Sequence, residues 1–169
     1  MKTLYLIGGT MGVGKTTVCN RMNEELDRSV FLDGDWCWNA NPFQVTDETK
    51  EMVIKNICFL LNQFIKCSAY ENIIFCWVMH QQSIIDEIIS GLDLSCCEIK
   101  TISLVCDEKT LKERLNKDVA NGVRKADVIE RSMKRLELYH KIDSIKINTS
   151  DKSVDEICRE ILGTSIKIS

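Results

Sequence analysis

The sequence predicts an α/β fold in which a five-stranded parallel sheet lies between two layers of helices. Two observations carry this. Five short apolar runs show little alternation, as expected of strands buried on both faces. Between them run longer stretches whose apolar residues recur every three or four positions, as in amphipathic helices. The length of 169 residues suits one domain with a continuous core, taken here as residues 1–169.

The first strand is read at Thr3–Ile7 and its helix at Lys15–Asp27. A second strand, Val30–Leu32, leads into Trp36–Val45, the longest stretch without periodicity and the site of the only proline, Pro42. Helix Asp47–Cys67 has the clearest stripe, with Val53, Ile57, Leu60, Leu61 and Phe64 on one face, Thr46 as N-cap and two acids in the first turn. Strand Asn72–Met79 and helix Gln81–Gly91 follow, then strand Ile99–Val105 and helix Glu108–Ala120. Helix Asp127–Lys141, strand Ile145–Ile147 and helix Ser153–Leu162 complete the alternation.

Composition narrows the partners. Apolar residues make up 44% and charged residues 28%, ordinary values for a globular chain. A formal charge of -3 offers no surplus of positive charge for a phosphate backbone, which argues against nucleic acid as the main partner. No segment approaches the roughly 18 apolar residues of a membrane span, so no membrane partner and a cytoplasmic location are expected. Nine cysteines, without a Cys-x-x-Cys pair, fall mostly inside apolar runs and read as small reduced hydrophobes.

One motif carries chemistry on its own. Gly9-Thr10-Met11-Gly12-Val13-Gly14-Lys15-Thr16 fits Gly-x4-Gly-Lys-[Ser/Thr] between a strand and a helix. In this phosphate-binding loop, or P-loop, glycines let backbone N–H groups turn toward phosphate oxygens, and the helix that follows presents its positive end. Gly9 to Thr17 is therefore the expected cradle for ATP, with Lys15 reaching the β- and γ-phosphates and Thr16 offering a hydroxyl to Mg²⁺. The fold class becomes a three-layer P-loop NTPase fold.

The rest of the chain decides which kind. The third strand ends in Trp77-Val78-Met79-His80, without the metal-binding acid of a standard ATPase strand. The second ends Asp33-Gly34-Asp35-Trp36, two carboxylates at the sheet edge where ligands bind in such folds. Here the chain resembles shikimate kinase, gluconate kinase, adenylylsulfate kinase and chloramphenicol phosphotransferase. That resemblance implies Asp33 as a support for Mg²⁺ through water, and Asp35 as the acceptor-binding residue and base. Solvated turn aspartates are the alternative.

Residues 107–139 resemble the lid of the adenylate kinase and nucleoside monophosphate kinase group. The resemblance implies that Arg114 stacks on adenine and that Arg124 and Arg135 clamp the transferring phosphate. The arginine that usually follows the stacking one is absent, with Lys117 and Asp118 nearby, and the lid's acidic doublet is reduced to Asp127. The same stretch also reads as a charged surface helix, through Asp127–Arg131, Glu130–Lys134 and Glu137–Lys141.

An acceptor pocket is expected from Asp35, Trp36, Trp38, Asn39 and Phe43, with His80 and Gln81 from the third strand's end, although the tryptophans could equally seal the core. Ser150, in the loop after the last strand, is a candidate for base recognition or for helix capping. The function expected is that of an ATP-dependent kinase acting on a nucleotide, a nucleoside or another hydroxylated small molecule. The alternatives are an ATP-binding sensor and a toxin-like or antibiotic-modifying phosphotransferase.

Overall fold

Five strands, β1 (Lys2–Gly8), β2 (Ser29–Asp33), β3 (Asn72–Trp77), β4 (Cys97–Val105) and β5 (Ile145–Asn148), form one parallel sheet in the computed structural model, which describes residues 1–163. Their order is β2-β3-β1-β4-β5, so the strand that feeds the P-loop is central. The helices are α1 (Lys15–Glu25), α2 (Asp47–Lys66), α3 (Gln82–Ser90), α4 (Glu108–Ala120), α5 (Asp127–Tyr139) and α6 (Val154–Gly163).

Alternate residues of each central strand feed two different cores. Tyr5 and Ile7 of β1, with Ile74 and Cys76 of β3, pack against α1, α4 and α6 through Val18, Met22, Leu111, Leu115 and Ile157. Leu4 and Leu6, with Ile73 and Phe75, pack against α2 and α3 through Val53, Ile57, Leu61, Ile85 and Ile88. This double burial is why the strands read as unbroken apolar runs. Helix α5 bridges the two, with Val128 and Leu136 in the first core and Tyr139 in the second. Among the described residues no helix is long and apolar enough to cross a membrane.

Element ends differ from the sequence reading where pairing sets them. β3 stops at Trp77 rather than Met79, because Gly8↔Trp77 is the last pair β1 can offer and the Met79 amide then turns back to the Trp77 carbonyl. β4 starts two residues early, at Cys97, where it finds Lys2 of β1. α5 ends at Tyr139, so Lys141 lies beyond the helix and only Asp127–Arg131 and Glu130–Lys134 form ion pairs, at 3.0 and 2.6 Å. α6 begins at Val154 because Ser153 caps it, accepting from the Glu156 amide while Glu156 accepts from the Ser153 amide. Thr46 caps α2 in the same reciprocal way, with Thr49 as its partner.

Candidate active site

The loop after β1 closes on itself before any ligand is considered. The Lys15 amine donates to the Thr10 carbonyl at 3.0 Å. Burial pulls the Lys15 pKa down, and Cys76, Asp35 and Asp33 are the main groups pulling it back up. Burial strips the ammonium of water whose place phosphate oxygens would take. Gly12 is needed twice over: its φ is +83°, and a Cβ there would lie 2.6 Å from Leu115 Cδ2.

Thr16 Oγ1 donates to Asp33 Oδ2 at 2.9 Å, joining the first turn of α1 to the end of β2. The other oxygen, Asp33 Oδ1, accepts from the Asp35 amide at 3.0 Å and starts a 3-10 turn over Gly34–Cys37. The sequence-predicted metal pair, Thr16 and Asp33, is thus in direct contact. Its hard oxygen donors suit Mg²⁺, which keeps most of its waters and needs few protein ligands. Asp35 lies at the same edge of the sheet, close enough for its charge to act on Lys15.

A cleft of about 410 Å³ opens above this loop. Gly12 to Val18 line one side, Arg114, Asp118 and Arg124 another, and Thr149, Lys152, Val154 and Ile157 the third. Arg114 is locked by three hydrogen bonds, from Nη1 to the Val13 carbonyl (3.2 Å) and Thr149 Oγ1 (3.0 Å), and from Nη2 to the Thr149 carbonyl (3.0 Å). Arg124 pairs with Asp118 at 3.0 Å. Arg135 stands apart from these two, beside His80 and Tyr139, and makes no hydrogen bond or ion pair among the described residues. Burial first, and the Arg135 charge second, hold the His80 pKa below its ordinary value. The Tyr139 hydroxyl sits near the Gly9 and Met79 amides without closing a hydrogen bond of normal geometry, and burial raises its pKa.

Not every predicted residue turns toward the cleft. Gly9, Thr10 and Met11 form the base of the loop; Thr10 is fully buried, and its hydroxyl donates to the Ser132 carbonyl of α5. Ser150 is occupied elsewhere, accepting from the Asp107 amide at 3.0 Å, while Asp107 caps α4. Its neighbour Thr149 takes the place by the cleft. The two tryptophans do not share a wall. Trp36 packs edge-on against Phe31, on the α1 side of β2, whereas Trp38 packs against the α2-side core and on Phe43, with ring centroids 4.5 Å apart. Asn39, next in the chain, is exposed.

Sequence reasoning missed Trp77. Its indole lies over Gly34 and donates from Nε1 to Asp35 Oδ1 at 3.2 Å. The sequence offers no signal for it, because the contact depends on β3 lying beside β2 in the sheet. Cys76, beside Asp33 in the sheet register, occupies the strand position next to it and packs with Cys19 under Lys15.

Comparisons with known proteins place this fold. The family model described as an AAA domain matches residues 6–138. The chain belongs to that family. Sequence comparison with curated proteins finds no match. Among solved structures, a gluconokinase from Sinorhizobium meliloti is similar at 17% identity and TM-score 0.70, over 95% of this chain and 89% of that one. The tunicamycin resistance protein of Deinococcus radiodurans is similar at 19% and 0.72, over 98% of each chain. Shikimate kinase from Acinetobacter baumannii, in complex with shikimate, is similar at 18% and 0.62, over 96% and 91%. These likenesses establish the fold of small P-loop kinases.

Proposed function

We propose that the protein is an ATP-dependent phosphotransferase that moves the terminal phosphate to a hydroxyl of a small molecule. The observation that carries this reading is that the Asp35 amide is tied to Asp33, the carboxylate that also accepts from Thr16, with the Asp35 charge within range of Lys15. A loop that only holds nucleotide needs no second carboxylate there. Family membership and the fold shared with small kinases support it.

In this reading the P-loop amides and Lys15 hold the β- and γ-phosphates, Arg114 presents a face to the base, and Thr16 and Asp33 hold Mg²⁺. Bound with ATP, the ion neutralises charge on the phosphates. Asp35 orients the acceptor hydroxyl and accepts its proton as the new O–P bond forms and the β–γ bridge opens to ADP. Arg124 leaves Asp118 for the phosphoryl oxygens, and Arg135 approaches from the β3 side. Lid closure keeps water from competing.

The test is thermal unfolding with ATP and Mg²⁺ across a panel of hydroxylated metabolites, nucleosides and antibiotics, followed by ADP release. Ligand at 100 times its Kd stabilises by about 2.7 kcal/mol. Asp35→Asn should keep the ATP shift and lose acceptor-dependent ADP formation. An ATP shift with no acceptor-dependent ADP from any compound would identify a nucleotide sensor instead.

A further inference from the structure

Asp35 sits on an exposed 3-10 turn, where a free carboxylate side chain samples several rotamers. Two contacts remove that freedom. Its amide is tied to Asp33 Oδ1, and its Oδ1 accepts the Trp77 indole N–H at 3.2 Å. No hydrogen bond engages Oδ2 among the described residues.

Trp77 in turn has one place to go. β3 runs past the end of β2, so residue 77 stands next to Gly34, and the strand alternation directs its ring to the α2 side, with Phe75 and Ile73. The ring fills the space a side chain at 34 would need: a Cβ there would lie 2.5 Å from Trp77 Cγ and 2.6 Å from Cδ1. Glycine between the two aspartates thus serves the indole, since Gly34 has no positive φ that would otherwise demand it. The Asp-Gly-Asp turn and the strand-end tryptophan form one unit.

We infer that Trp77 is the positioning residue for the acceptor carboxylate: its indole N–H fixes one oxygen of Asp35 so that the other faces the hydroxyl to be phosphorylated. The inference rests on the phosphotransferase reading. A directional hydrogen bond to an ionised acceptor holds orientation well, and misalignment of a reacting group lowers the rate far more than it lowers binding. The effect therefore belongs in kcat and not in the KM for ATP.

Two measurements on the full chain test it. The first is the indole ¹H–¹⁵N spectrum of the tryptophan-labelled protein, with the Trp77 signal identified by its loss in Trp77→Phe. In Asp35→Ala that signal should move upfield, toward its position in the unfolded chain. The second is ADP formation with ATP, Mg²⁺ and an acceptor drawn from the panel of hydroxylated metabolites, nucleosides and antibiotics. Trp77→Phe keeps an aromatic ring over Gly34 but removes the donor, and should lower kcat about tenfold, with the KM for ATP within about twofold of the parent. Gly34→Ala, which must displace the ring, should give the same split. A Trp77 signal indifferent to Asp35 overturns the contact. A shifted signal with parental kcat in Trp77→Phe overturns the positioning role. A shifted signal in a parent protein that forms no ADP with any acceptor of the panel overturns the phosphotransferase reading, and the role of Trp77 with it.

Discussion

Replacing Arg114 by alanine should destabilise the protein even without nucleotide. The guanidinium bridges the P-loop and the loop after β5, through the Val13 carbonyl and both oxygens of Thr149. A hydrogen bond from a charged donor contributes about 1.5–3 kcal/mol. Arg114 itself is only partly buried, so the three together are discounted to about 2–3 kcal/mol. For a chain of this length that corresponds to a fall in Tm of roughly 5–10 °C. Differential scanning calorimetry of the ligand-free protein reads it directly, and ATP titration should show Kd rising about tenfold as the stacking face is lost. Arg114→Lys should recover less than half of the stability, because an ammonium cannot reproduce the two-ended fork. An Arg114→Ala protein melting within about 1 °C of the parent would refute the bridging argument.

Gly12→Ala combines a strained φ with a contact against Leu115, and should cost about 2 kcal/mol in urea unfolding and abolish the ATP-induced thermal shift. His80 favours its neutral form in the folded state, so it contributes stability that is full above pH 6.5 and lost as pH falls below it. Arg135→Ala should raise the His80 titration toward 6.5 by NMR and reduce that acid loss. Burial raises the Cys158 thiol from 9.0 to about 11, so the folded chain keeps a proton that the unfolded one gives up over that range. Stability from this group should decline from pH 9 to 11, and urea midpoints of Cys158→Ala should show a shallower slope.

Much of the fold was legible because double burial leaves a mark that survives without coordinates. Ile73, Ile74, Phe75 and Cys76 are all apolar since each faces one of two cores, and Thr46 and Ser153 announce helix starts by local hydrogen bonding alone. The P-loop was legible for a similar reason: its chemistry is carried by contiguous backbone, with glycines at fixed spacing. What sequence could not supply was every relation that depends on strand order. β3 is inserted between β1 and β2, a crossover no local pattern encodes, and only that insertion brings Trp77 against Gly34 and Asp35. Packing likewise takes Trp36 and Trp38 to opposite faces of β2 and Arg135 away from Arg124, although each pair reads as one cluster along the chain. Chain neighbours are set by covalent bonds and local periodicity, whereas site neighbours are set by which apolar faces pack together, and that choice is made by the whole core at once.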